Sequence, residues 1–330
     1  MRGWRRGIPT LVLTNATGDQ LRREQQEGRQ YNEVWRHYQD VPGFALTGKA
    51  GDPRAAVTPA LAQAVLGSGF SWLLYGDDDV AFFWPGLLRA LRGLKREDPY
   101  FLTDDYYSRW RTGRSGQHAP DQPRCVPCSI PATQGLDLEA AHALKTCNCS
   151  VAAMATHFEG LLGEKDRFKS FPLHPPITTV AGGGGAVLSA GLLRRLNNSL
   201  YESCVHGNET STGGATACGG SDGLLTACLW QQGFGYTDPG LELRHRGTFA
   251  FNTYQSNRQR MESDFEKAAA GGCGQACQLR LSHAVSLHAH GAKMANHTQG
   301  AAELARFLCA AAEYAERAAP LEQLADGVLL

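Results

Sequence analysis

The chain has 330 residues, of which 42% are hydrophobic and 19% charged. That composition excludes a disordered polymer and leaves room for one large domain or two small ones. Basic and acidic side chains balance to a formal charge of zero, so no global field draws the chain to nucleic acid or to an anionic membrane.

Pro9 to Thr14 (PTLVLT) predicts a short buried strand, ended by Asn15 and Gly18. Residues 20 to 38 are polar, with Tyr31, Val34, Trp35 and Tyr38 at 3-4 spacing, which predicts a surface helix. A second helix is expected over 55 to 67, ended by Gly67. Phe70 to Tyr75 (FSWLLY), between Gly69 and Gly76, reads as a strand covered on both faces. Asp77, Asp78 and Asp79 follow at once, then Val80 to Phe83, then a helix with Pro85 in its first turn. Tyr100 to Thr103 gives one more short strand.

Strands separated by helices predict an α/β domain with a largely parallel sheet. Residues 105 to about 150 break the pattern with Gly, Pro, Ser and four cysteines, and read as a long cross-linked loop. Regular structure resumes near Val151, and residues 301 to 317 form an amphipathic helix followed by a short tail. Only about eight residues, rich in arginine, precede the first strand. A domain of this kind ordinarily opens with an earlier strand and helix, so we expect a late start. No apolar run reaches the length of about 18 residues that spans a membrane, and no signal-peptide core follows Met1.

Four segments carry chemistry. The first is the strand that runs directly into Asp77-Asp78-Asp79. Ligands of α/β sheets bind beyond the carboxyl ends of strands. Three adjacent carboxylates repel one another unless a cation neutralises them, and hard oxygen ligands favour Mg²⁺ or Mn²⁺. The bland alternative is a solvated, helix-capping turn; the position after a buried apolar strand favours the metal. The second is Gly182 to Gly185 before the strand Ala186-Val187-Leu188-Ser189. It is either a flexible connection or a loop that lets backbone approach a ligand closely. The third is Gly219-Gly220-Ser221-Asp222-Gly223-Leu224, opening a helix that ends at Gly233. Asp222 is either an N-cap or a general base held at a rigid helix start. The fourth is Val285 to His290, whose alternation puts His288 and His290 on one face of a strand, as surface residues or as metal ligands.

Ten cysteines include the close pairs Cys125/Cys128, Cys147/Cys149 and Cys273/Cys277. Disulfides, reduced thiols and a zinc site at the first two pairs are all open, with disulfides favoured. Five of the nine asparagines (Asn15, Asn148, Asn197, Asn208 and Asn296) stand in N-x-S/T. Chance frequencies would place roughly one in eight there, so about one was expected. Cysteines and sequons together point to the secretory pathway.

The order of GDDD after an apolar strand, then GGGGAVLS, then GSDGLLTACLWQQGFGYTDPG, then VSLHAH resembles the Fringe-like glycosyltransferases of family 31, including a related plant and algal domain of unknown function. The resemblance runs from Phe70 to His290. It implies a GT-A fold over residues 1 to 300, a mixed, mostly parallel sheet flanked by helices, with 105 to 150 as a Cys-rich insertion and 301 to 330 as a helix and tail. It implies a UDP-sugar donor, a glycan or glycoprotein acceptor, Mn²⁺ (or Mg²⁺), inversion and a β-1,3 linkage. It further implies a type II protein of the Golgi lumen whose anchor is absent from this chain. On the same ground Asp79 and His288 bind the metal, and Asp77 and Asp78 face the donor. Gly183, Gly184 and Gly185 lie beside the donor sugar, and Asp222 is the base. Many relatives carry two acidic residues at the base position, where this chain has Asp222-Gly223. The rival readings are a non-catalytic glycan- or nucleotide-sugar-binding descendant of the same fold and a cytosolic metal hydrolase, for which further metal ligands are lacking.

Overall fold

Two strands and a crossing helix come first among the described residues. β1 (Thr10–Thr14) and β2 (Glu33–His37) run parallel, in register from Thr10 opposite Glu33 to Thr14 opposite His37, and α1 (Gly18–Gly28) joins them. The computed structural model describes residues 8–37, 52–76, 80–103, 106–108, 124–126, 178–180, 185–211, 224–226, 228–229, 232, 234–238, 251–252 and 255–288. The helix expected over 20–38 stops at Gly28, and Val34 and Trp35 belong to β2. Asn32 supplies the break: it takes φ 59°, a left-handed conformation that asparagine tolerates better than most residues. Pairing with β1 then outweighs the local 3-4 spacing. β1 itself is half-buried rather than buried.

α2 (Asp52–Leu66) carries Ala56, Val57, Ala60 and Leu61 into the core. It ends where Gly67 takes φ 77° and returns its N–H to the Gln63 carbonyl, as helices closed by glycine do. β3 (Trp72–Tyr75), β4 (Val80–Phe82), α3 (Trp84–Leu91) and β5 (Phe101–Leu102) follow. β6 (Tyr106–Ser108) and β7 (Arg124–Val126) are the described parts of the cysteine-rich segment. Next come β8 (Thr178–Val180), β9 (Ala186–Ser189), α4 (Ala190–Arg195) and α5 (Asn198–Ser211). Residues 224–226 and 228–229 are helical. β10 (Tyr236–Asp238), β11 (Phe251–Asn252), α6 (Gln255–Ala269), α7 (Gln275–His283) and β12 (Ser286–His288) complete the order. The helix expected over 301–317 and the tail after it lie outside the described residues.

The largest sheet has the order β3-β9-β5-β10-β7. β9 runs antiparallel to both β3 and β5, and β10 runs parallel to β5 and antiparallel to β7. β3, β5 and β10 therefore share one direction and end on one edge. Side chains alternate across this sheet. Ala186, Leu188 and Phe101 enter one core layer with α2, α4, α5 and Leu224, Leu225, Cys228 and Leu229. Val187, Leu102 and Tyr100 enter a second with Trp72 and α3. β9 is buried on both faces, as a central strand must be, and Val187 and Leu188 there each contribute about 1.5–3 kcal/mol.

A smaller sheet, β11-β12-β4, leans on the second layer. Val80 and Phe82 of β4 enter that layer, while Ala81, Phe83 and Leu287 face a third one built by α6 and α7. Period-two alternation again divides the strand between two cores. α6 and α7 are fastened by a two-pronged ion pair, Arg280 Nε and Nη2 donating to the Asp264 carboxylate at 2.6 and 2.7 Å, and a disulfide ties Cys273 of the intervening connection to Cys277 of α7. A second disulfide, Cys204–Cys228, joins α5 to the helical residues 228–229. Tyr201 ties α5 to α2: its buried hydroxyl donates to the Ala56 carbonyl at 2.5 Å.

Candidate functional site

The flanks of the aspartates, the last glycine of the run and the end of β12 meet on one rim. β3 stops at Tyr75, whose pairing partner is Ala186, so Gly185 stands just outside the ladder beside Gly76. Gly185 takes φ 75°. A Cβ there would lie 3.0 Å from the Tyr75 carbonyl oxygen and 3.0 Å from Phe82 Cζ. The last glycine of the run thus has both a conformational and a steric reason to be glycine. β5 delivers Thr103 to this rim, where its Oγ1 sits 3.5 Å from the Gly185 carbonyl oxygen and its N–H donates to the Thr237 carbonyl of β10.

The smaller sheet reaches the rim from the other side. β4 starts at Val80, which follows the three aspartates directly and is itself buried. One Val80 methyl lies 3.4 Å from where a Gly185 Cβ would be, and its side chain also fills the space over Gly76. β12 runs antiparallel to β4, with Ser286 opposite Phe82, Leu287 opposite Ala81 and His288 opposite Val80. The Phe83 N–H donates to the Val285 carbonyl at 2.8 Å and locks that register. The end of β12 is thereby brought to the start of β4, although the two are far apart in sequence.

Of the residues predicted for the site, Gly185 is brought to the rim and His288 lies in the strand paired with Val80. Asp77, Asp78, Asp79, Gly183, Gly184 and Asp222 lie outside the described residues. Their flanks are described. Gly76 and Val80 bracket the aspartates, Gly185 closes the glycine run, and the helix two residues after Asp222 is anchored by Leu224, Leu225, Cys228 and Leu229 in the first core layer. Val80 and Thr103 support the rim without having stood out in the sequence. The signal for Val80 was its place directly after the aspartates; for Thr103 it was the hydroxyl that ends a wholly apolar strand.

Electrostatics beneath the rim are set by burial. Tyr100, packed near Trp72 at 6.2 Å between ring centres, has its hydroxyl pKa raised, first by desolvation and then by Asp98. Among the described residues no three His, Cys, Asp or Glu gather as a metal-holding group, and no helix is long and apolar enough to cross a membrane. No protein-family model, curated protein or solved structure matches the chain.

Proposed function

We propose that the chain is an inverting, Mn²⁺-dependent glycosyltransferase of GT-A type that moves a sugar from a UDP-sugar to a hydroxyl of a glycan or glycoprotein. One observation carries this reading: His288 is the register partner of Val80, the residue bonded to Asp79. Paired residues of an antiparallel ladder have Cα atoms about 4.5–5.5 Å apart, and consecutive Cα atoms about 3.8 Å. Connectivity therefore keeps the Asp79 and His288 Cα atoms within roughly 9 Å of each other. An aspartate and an imidazole span that distance when they ligate one cation at about 2.0–2.3 Å. The donor set fits Mn²⁺, since carboxylate oxygen and imidazole nitrogen both suit that ion. The aspartates follow the carboxyl end of β3, and the glycine run meets the same edge at the start of β9, which supports the same reading.

In this proposal Asp79 and His288 hold the metal, Asp77 and Asp78 face the donor, and Gly183, Gly184 and Gly185 bring backbone against the donor sugar. When bound, the metal would neutralise charge on the leaving diphosphate. Asp222 takes the proton of the acceptor hydroxyl, whose oxygen attacks the anomeric carbon as the bond to the UDP oxygen breaks. The cysteines and sequons suggest the secretory pathway, and the resemblance to the Fringe-like enzymes implies the Golgi lumen as the compartment of the reaction.

Calorimetry of Mn²⁺ and UDP tests the assignment. Asp79→Asn and His288→Gln should each abolish Mn²⁺-dependent UDP binding, and the double variant should lose no more than either alone, because both remove one ion. Unchanged UDP affinity in Asp79→Asn would end the metal assignment. Normal Mn²⁺–UDP binding without sugar transfer to any acceptor would instead favour the non-catalytic descendant.

A further inference from the structure

Asn197 heads α5 in a way that suits one specific modification. It is an exposed turn residue between α4 and α5, and with Asn198 and Ser199 it forms a sequon whose three residues are all exposed. Its backbone is held on both sides by one side chain: the Asn197 N–H donates to Gln232 Oε1 at 2.8 Å, and Gln232 Nε2 donates to the Asn197 carbonyl at 3.2 Å. Its own Oδ1 accepts the N–H of Leu200 at 3.2 Å and so caps the helix. The cap uses only the oxygen of the amide, and Nδ2 donates to no group among the described residues.

A second observation points to what covers this place. Leu200 is 59% exposed and is the one large hydrophobic side chain exposed among the described residues. It stands three positions after Asn197, the spacing that puts two residues on one face of a helix. A sugar on Nδ2 of Asn197 would lie over this apolar side chain.

We propose that Asn197 carries an N-linked glycan whose first sugars cover Leu200. In the step that installs it, Nδ2 attacks C1 of a lipid-linked oligosaccharide diphosphate. The N–C1 bond forms, the bond from C1 to the phosphate oxygen breaks, the lipid diphosphate departs, and one amide proton goes to base. The product amide keeps Oδ1, so the cap to Leu200 survives modification. The step requires passage through the endoplasmic reticulum and is independent of the transferase reading. Asn208, which lies inside α5, has no such turn.

The full chain, given a cleavable leader for the endoplasmic reticulum, is expressed in a eukaryotic cell beside Ser199→Ala and Asn197→Asp. The first variant destroys the sequon and keeps the Asn197 cap; the second caps as well as asparagine but cannot be glycosylated. Enzymatic glycan release in heavy-oxygen water marks each asparagine that bore sugar. The mark is expected on Asn197 and absent from both variants, which should also be retained longer on a hydrophobic column. Leu200→Ser should reverse that longer retention in the sugar-free forms and leave the glycosylated form unchanged. An unmarked Asn197 in the total cellular pool overturns the proposal, as does retention that ignores Leu200 in the sugar-free forms.

Discussion

Gly185→Ala probes the rim where it is most tightly built. The residue takes φ 75°, and the left-handed region costs an ordinary L-residue about 1–2 kcal/mol. The added methyl would also meet the Tyr75 carbonyl oxygen and Phe82 Cζ, each at 3.0 Å. The carbonyl is held in the β3–β9 ladder and Phe82 is buried, so neither moves freely. Overpacking of that kind adds about 1–3 kcal/mol. The expected destabilisation is about 2–5 kcal/mol, a large share of the roughly 5–15 kcal/mol that a domain has. Gly67→Ala is the control, because Gly67 takes φ 77° and a methyl added there would meet nothing within 4 Å; it should show only the conformational part, about 1–2 kcal/mol. Urea unfolding of the two variants at equal slope isolates the contact term by difference. If Gly185→Ala destabilises no more than Gly67→Ala, the close approach of the glycine run to β3 and β4 is wrong.

Three further outcomes are expected. Asp222→Asn preserves a helix cap but cannot accept a proton, so kcat should fall by about 10²–10⁴-fold while circular dichroism and UDP binding persist; near-normal turnover would leave Asp222 a cap only. Tyr201→Phe removes the bond to the Ala56 carbonyl, which also sits in the ladder of α2, and should cost about 0.5–1.5 kcal/mol in urea. Because burial raises the Tyr201 and Tyr100 pKa values above the ordinary 10.0, the stability linked to their protonated forms is fully present below pH 10 and is lost as pH rises above it; a pH titration of the urea midpoint should show a decline there that Tyr201→Phe blunts. Reducing Cys204–Cys228, which closes 24 residues, should remove about 3 kcal/mol, and an unchanged midpoint in dithiothreitol would show that the bond contributes nothing.

Local punctuation was legible and long-range pairing was not. Gly67 marked the end of α2, Gly69 and Gly76 bracketed β3, and the 182–185 run preceded β9, because glycine acts through its own backbone. Alternation over Val285–His290 was enough to read β12. Val34 and Trp35 went astray because their strand exists only through its parallel partner β1, and nothing within residues 20–38 records that partner. Cys204–Cys228 escaped for a related reason: attention to close pairs picks out Cys273–Cys277 but not two cysteines on different helices that meet in the core. The chemistry of the site was readable as residue types, whereas the register of His288 opposite Val80 depends on two strands that only the fold brings together.

The most direct test is UDP release from a panel of UDP-sugars, with glycan acceptors, in the presence and absence of Mn²⁺. At least one donor should yield acceptor-dependent UDP release that requires Mn²⁺, disappears in Asp79→Asn and leaves a product of inverted anomeric configuration. Absence of release from every donor, or release that persists in Asp79→Asn without metal, would contradict the assignment of a metal-dependent glycosyltransferase.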